Sequence, residues 1–313
     1  MAAGERILVI KLGALGDWVL ATGPFAAIRR HHPGARITLL PLPAFAAWGE
    51  RCGWFDEVWR DERPGWTRPF AWLGHRRRLV GACFTRVYDL QTSDRSALYY
   101  RLFGPRGAPQ WSGIAAGCSH RHANPDRDRM HTIERQAEQL AVAGIAAVPA
   151  PSLDWLEAAA DKLAPAGDFA LLVPGGSAHR PGKRWPSEHY AALAQSLAAR
   201  GITPVLIGGA PEAGILAQIA RAVPAALDLG GRTSLDQIAA LARCARAAVG
   251  NDTGPMHIIA ACRCPTVVLF SDQSDPALCA PRGAAVAVVR SAPLSDLAAA
   301  RVIDAVAALP ARA

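Results

Sequence analysis

Residues 247–270 read AAVGNDTGPMHIIAACRCPTVVLF. Ala247–Val249 is a short apolar run of strand character, and Gly250-Asn251-Asp252-Thr253 is a turn. Gly254–Ala261 has helical character with Pro255 in its first turn, where the missing N–H would have had no partner. Thr266–Phe270 is a second, β-branched strand. Strand, helix and strand at this spacing make a crossover between parallel strands, which needs a sheet covered on both faces. The turn before the helix then sits at the carboxyl end of a strand, where open α/β sheets bind ligands.

Working outward, the same alternation recurs. Phe169–Val173 and Thr203–Ile207 are strands. A helix over Glu188–Arg200, with Ser187 as its cap, lies between them, and further helices fall near Glu212–Ala222 and over Leu235–Arg243, the last capped by Ser234. Ala226–Leu229 is a short strand. In the first half, Arg6–Ile10, Arg36–Leu40 and Val87–Leu90 are strands, Val19–His31 and Met130–Ala143 are helices, and Gly13–Asp17 is a tight loop. Pro149-Ala150-Pro151 interrupts the pattern and predicts a linker. The expected architecture is therefore α/β: two doubly wound, Rossmann-like domains, residues 1–150 and 151–313, with a cleft between them.

Charge is divided unevenly between those halves. Residues 1–150 carry 20 basic and 13 acidic side chains, residues 151–313 carry 14 and 13, and only three of the basic residues are lysine (Lys11, Lys162, Lys183). The excess predicts an acidic partner for the first half. Nothing resembling a nucleic-acid-binding motif accompanies it. Ile258–Phe270 is too short to span a bilayer and contains Arg263, and no secretory signal is visible. Seven scattered cysteines without a Cys-x-x-Cys pair predict a reducing compartment, with no disulfide framework and no zinc site.

Several loops carry candidate chemistry. Lys11-Leu12-Gly13-Ala14-Leu15-Gly16-Asp17 follows the first strand; Gly13 and Gly16 allow close approach of a ligand, although the third glycine of a dinucleotide fingerprint is missing. Asp17 is either a helix N-cap or a general base. Residues 174–186, PGGSAHRPGKRWP, gather Ser177, His179 and Lys183 in a turn that suits a phosphate or is simply solvated. Asp252, Thr253 and Gly254 start a helix whose amides favour an anion, with His257 one turn on, or they merely cap a core helix. Gly208-Gly209 and Gly230-Gly231 follow two further strands as walls for a nucleoside, and Glu212 either accepts ribose hydroxyls or favours its own helix start. His75-Arg76-Arg77-Arg78 is a basic run, a solvated face or an acceptor site that Arg95 joins.

These segments together resemble glycosyltransferase family 9, the ADP-heptose:lipopolysaccharide heptosyltransferases. The resemblance lies in ERILVIKLGALGDWVLATGPFAAIRRHHPGARITLL at the start, VYDLQTSDRSALYYRLFG (87–104), HTIERQAEQLAVAGI (131–145), GGSAHRPGKRWPSEHYAAL and GNDTGPMHIIAA. It implies a GT-B fold, with acceptor-binding and donor-binding domains in that order and a final helix, near Ser295–Leu309, of the kind that often packs back on the first domain. It implies inverting transfer of heptose from ADP-L-glycero-D-manno-heptose to a Kdo or heptose hydroxyl of the inner core. Asp17 matches the family's base, Lys183 its donor-phosphate lysine, and Asp252, Thr253, Gly254 and His257 its helix-start site; Ser177 and His179 match more loosely. Arg76, Arg77, Arg78 and Arg95 are expected to meet the acidic acceptor. No cofactor and no obligatory metal are implied, and the expected location is cytoplasmic, peripheral on the inner membrane. Phe270-Ser271-Asp272-Gln273-Ser274-Asp275-Pro276 departs from the family's turn by one residue and by added acid, which leaves the sugar open. Another nucleotide sugar or acceptor, a GT-B-like epimerase and a non-catalytic nucleotide-sugar-binding protein remain as alternatives.

Overall fold

The computed structural model describes residues 4–104, 107–160, 162–176 and 179–311. The chain divides into two units, Met1–Ala150 and Pro151–Ala313. The first is built on β1 (Arg6–Ile10), β2 (Arg36–Leu40), β3 (Glu57–Val58), β4 (Arg86–Asp89), β5 (Gln110–Gly113) and β6 (His120–Arg121), arranged 3-2-1-4-5-6 and parallel throughout. Its helices are α1 (Leu15–Leu20), α2 (Thr22–His31), α3 (Ala46–Arg51), α4 (Pro69–Gly81), α5 (Asp94–Leu102) and α6 (Thr132–Val142).

The second unit repeats the plan. Its strands are β7 (Phe169–Val173), β8 (Thr203–Leu206), β9 (Leu227–Asp228), β10 (Ala247–Asn251), β11 (Thr266–Phe270) and β12 (Val286–Arg290), also all parallel. Numbered within the unit, their order is again 3-2-1-4-5-6. The helices are α7 (Ser187–Ala199), α8 (Ala213–Ala222), α9 (Leu235–Cys244), α10 (Gly254–Ala261), α11 (Pro276–Cys279) and α12 (Ala299–Ala307). In both sheets the chain reverses its direction of travel between the first and fourth strands, so each unit has its topological switch point there.

Each unit has its own core. Leu8, Ile10, Leu40, Val87, Tyr99 and Trp111 anchor the first, and Leu172, Trp185, Tyr190, Leu206, Val249 and Leu269 the second. The central strands β7, β10 and β11 are buried along their whole length, which is why they read as continuous apolar runs rather than alternating ones. The final helix is part of the second core: Val302 is fully buried in it, with Ile303, Val306 and Leu309 packed alongside. All seven cysteines are free thiols, and among the described residues no helix is long and apolar enough to cross a membrane.

Two local expectations change. The helix read over Val19–His31 is two helices, α1 and α2, meeting at Ala21. Ser187 does not cap α7 but opens it; Pro186 holds the cap position without a side-chain bond. Ser234 does cap α9, in a reciprocal pair with Gln237.

Candidate active site

The loops after β7 and β10 lie at the switch point of the second sheet, and one side chain ties them together. Asn251, fully buried at the end of β10, donates from Nδ2 to the carbonyls of Pro174 (2.8 Å) and Gly175 (3.0 Å). Its Oδ1 accepts from the Trp185 amide at 3.1 Å, and the Tyr190 hydroxyl lies 3.1 Å from the same oxygen. Trp185 is fully buried and its indole N–H donates to the Leu297 carbonyl at 2.8 Å, so this end of the loop is not simply solvated. Arg184 donates to the Gly176 carbonyl at 2.7 Å and closes the near side of the loop. Gly250 is required by packing, because a Cβ there would collide with Met256 and Val173.

This frame delivers Lys183 to Asp252. Lys183 Nζ and Asp252 Oδ2 are 2.6 Å apart, with both side chains mostly buried. Beyond Asp252, Thr253 is the N-cap of α10 with no side-chain bond across the helix end, and Pro255 lies in the first turn. A helix leaves its first amides without intrahelical partners, so Gly254 and its neighbours present an anion-favouring end. His257 and Met256 are buried on α10, Met256 completely. His179 is exposed in the loop. Ser177 lies outside the described residues.

At the start of α10, where Thr253 and Pro255 line it, is a cavity of about 300 Å³, small for a ligand site but within the range from about 300 Å³ upward. Gly175, Gly176, Gly208, Gly209 and Gly231 line it together with Glu212 and Thr253. A Cβ on Gly175 or Gly208 would come within 2.9 Å of Glu212, so these glycines make room for that side chain as well as for any guest. Glu212 Oε2 accepts the Gly209 amide at 2.9 Å; its helix-start role is therefore real, and it still lines the cavity.

The departing turn is closed by its own groups. Ser271 Oγ accepts the Gln273 amide, and Asp275 caps α11 by accepting the Ala277 amide at 2.9 Å. Asp272 is exposed.

In the first unit, the loop after β1 holds Asp17 as the third residue of α1, half-buried. The N-cap position belongs to Ala14 and has no side-chain bond, so Asp17 is not the cap. No hydrogen bond or ion pair to its carboxylate occurs among the described residues. Its charge is felt by Lys11 and Arg135. Gly13, at φ +153°, serves packing: a Cβ would stand 3.0 Å from the Phe45 ring. Gly16 sits within α1.

Residue reading alone missed the support beneath this loop. Gln91 Oε1 accepts the amides of Leu12 (2.9 Å) and Gly13 (3.3 Å). Buried Lys11 donates to the Leu90 carbonyl at 3.3 Å. Asp89, at the end of β4, accepts the amides of Gln91 and Thr92 through Oδ1, while burial pushes its carboxyl up to about 6. Lys11 is pushed below the usual lysine range by burial. The signal is the DLQ of residues 89–91, inside the stretch 87–104 that resembles the family but to which residue chemistry alone assigns no role.

The arginines meet different partners. Arg76 Nε donates to the Leu102 carbonyl at 2.9 Å, Arg78 lies 4.2 Å over the Trp59 ring, and Arg95 lies over Trp66 and Trp72 at 4.8 and 5.5 Å. Arg77 is exposed on α4. Among the described residues no three His, Cys, Asp or Glu side chains gather as a metal site.

Residues 72–302 match the family described as Glycosyltransferase family 9 (heptosyltransferase). The chain belongs to that family. Over 104 residues this family 9 chain is 36% identical to lipooligosaccharide heptosyltransferase 2 of Haemophilus influenzae, a match spanning 32% of this chain and 30% of that protein. Lipooligosaccharide heptosyltransferase 2 of Haemophilus ducreyi is 24% identical over 335 residues, covering 91% of this chain and 88% of the relative. Among solved structures, the ADP-heptose lipopolysaccharide heptosyltransferase II of Escherichia coli superposes with a TM-score of 0.77 at 24% identity, covering 97% of this chain and 98% of that one. The family 9 chain therefore has the GT-B type of fold, expressed as two six-stranded parallel sheets.

Proposed function

We propose that this chain is an inverting heptosyltransferase that takes heptose from an ADP-heptose donor and attaches it to a Kdo or heptose hydroxyl of the lipopolysaccharide inner core. The observation that carries the reading is the pairing of Lys183 with Asp252, the residue before Thr253, which both caps α10 and lines the glycine-walled cavity. The similar E. coli structure is an ADP-heptose heptosyltransferase, which supports the choice of nucleotide.

In this reading the nucleoside occupies the cavity, with Glu212 within reach of ribose hydroxyls. The pyrophosphate lies between Lys183 and the first amides of α10. Asp252 balances the lysine's charge until the donor arrives. The acceptor oxygen bonds to the anomeric carbon as the bond from that carbon to the β-phosphate oxygen breaks, and ADP leaves with the electron pair. Asp17 takes the proton of the acceptor hydroxyl. Negative charge collects on the leaving phosphate where an ammonium and a helix end are already oriented, so no reorganisation is needed as it develops. That fixed charge does the work a divalent ion does elsewhere, and no obligatory metal is proposed. The acceptor, an acidic glycolipid at the cytoplasmic face of the inner membrane, belongs to the basic first unit.

The test is donor choice. Purified protein with a Kdo-containing acceptor and a panel of nucleotide sugars should give a product heavier by one heptose only with the ADP sugar, as read by mass. ADP should also raise the melting temperature more than UDP or NAD does. A larger shift with UDP, or transfer from a UDP sugar, overturns the proposal.

A further inference from the structure

Four of the large apolar side chains exposed among the described residues cluster in one short segment. Trp66 is 66% exposed, Phe70 86%, Leu73 41% and Val80 38%. Three of them lie on α4. Phe70, Leu73, Arg77 and Val80 follow one another at spacings of three, four and three, which is one face of a helix. The opposite face is already used: Leu79 is buried, and Trp72 and His75 pack toward Tyr99. The apolar face is thus not a core face left over from weak packing. It is a second apolar face, turned to solvent.

Its surroundings are cationic. Residues 69–81 contain no acidic side chain, and Arg63, Arg68, Arg76 and Arg77 are exposed in or beside them, against a single exposed acid, Glu62. Trp66 stacks on Trp72 with ring centroids 5.6 Å apart, and Arg95 covers both rings. The arrangement pairs an amphipathic aromatic with guanidinium groups at the end of an apolar stripe. A protein partner with an apolar groove would not need that ring of arginine, and a nucleic acid would not need Phe70 and Leu73. An anionic bilayer supplies both halves: phosphate headgroups for the arginines and acyl chains for the apolar stripe.

We infer that the exposed face of α4, with Trp66 before it, is a membrane-docking surface that inserts shallowly into an anionic phospholipid bilayer. The helix lies in the interface plane, with Phe70 and Leu73 below the headgroups and Arg63, Arg68 and Arg77 among them. Arg side chains are suited to this, since their stems follow apolar surface while the charged head stays wet. The inference deepens the membrane-lipid acceptor proposed above by naming the element that brings the protein to it, but docking itself needs neither donor nor acceptor.

The experiment is co-sedimentation of the full-length protein with vesicles of phosphatidylethanolamine and phosphatidylglycerol, and with vesicles of phosphatidylcholine alone. The wild-type chain should bind the anionic vesicles, weaken with added salt, and bind phosphatidylcholine little. The double variant Phe70→Ser, Leu73→Ser should keep its melting temperature to within a few degrees, because neither side chain belongs to the buried core, and lose about tenfold or more in vesicle affinity. Its transfer to a short, lipid-free acceptor sugar should be unchanged. Failure of the wild type to bind anionic vesicles overturns docking, as does a double variant that binds as well as wild type. A wild type that dimerises in solution, with a double variant that does not, assigns the face to a second copy and also overturns it. Transfer to the lipid-free acceptor is scored separately, so an active protein that ignores vesicles removes the docking surface alone, and an inactive protein that binds them removes the proposed reaction alone.

Discussion

Lys183 Nζ and Asp252 Oδ2 meet at 2.6 Å across the loops that follow β7 and β10, and each is the other's charge partner in a mostly buried setting. An ammonium held this way is oriented before any phosphate arrives. A carboxylate held this way depends on the lysine for its own compensation.

Lys183→Ala should therefore have two effects. It leaves Asp252 as an uncompensated carboxylate, at a cost of about 3–5 kcal/mol in stability, and it weakens ADP binding by about tenfold or more, since a charge-assisted contact is lost. Adding Asp252→Asn to it should restore part of the stability but not the ADP affinity. Thermal melts with and without ADP, completed as a double-mutant cycle, separate the two. Unchanged ADP affinity in Lys183→Ala would remove the lysine from the donor site.

Asp17→Asn keeps the size of the side chain and removes its ability to take a proton. Turnover should fall by about 100-fold to 10,000-fold, with ADP affinity and melting temperature close to wild type, because no other described residue hydrogen-bonds to that carboxylate. Transfer kinetics alongside calorimetric ADP titration give the answer. Near-normal turnover would make Asp17 a bystander.

Asn251→Ala removes bonds to two carbonyls, the Trp185 amide and the Tyr190 hydroxyl at once, all in buried residues. A loss of about 2–4 kcal/mol is expected, seen as a lower urea midpoint, together with weaker ADP binding because the two loops are no longer held in register.

Asp89 gives the first unit a defined response to pH. Burial raises its carboxyl from 3.8 to about 6, so between those values the folded chain takes up a proton that the unfolded chain does not. Its contribution to stability should fall as pH rises from about 4 to about 6, and the cost of the buried charge should persist above that range. Asp89→Asn keeps an oxygen for the amides of Gln91 and Thr92 and removes the charge. It should raise stability at neutral pH, by at most about 3 kcal/mol, and flatten the stability profile over that window. Urea melts across pH 4 to 8 of both proteins decide it; parallel profiles would show that Asp89 is not the titrating group.

The sequence showed some of this more readily than the rest. β7, β10 and β11 were legible because strands covered on both faces must be apolar throughout, and α9 because Ser234 stands as a cap before a helical run. α4 was not, because apolar residues on both its faces erase helical periodicity. The two-residue strands β3 and β6 are too short to carry a pattern, and their positions follow from pairing to neighbours; β9, equally short, falls inside the run Ala226–Leu229 read as a strand. Lys183 and Asp252 were marked as site residues, but their contact, 69 positions apart in sequence, was not foreseen. The structural use of Arg78 and Arg95, each over an indole, was hidden for the same reason: a basic run reads as a solvated face until its ring partners are brought in by the fold.

The break at 150/151 leaves each half with a complete sheet and a complete core. Lineages that join a new first half to an old second half would keep a working fold on either side of the seam. If donor and acceptor recognition divide along that seam, inheritance can revise the recipient of the sugar while the fuel it is drawn from stays the same.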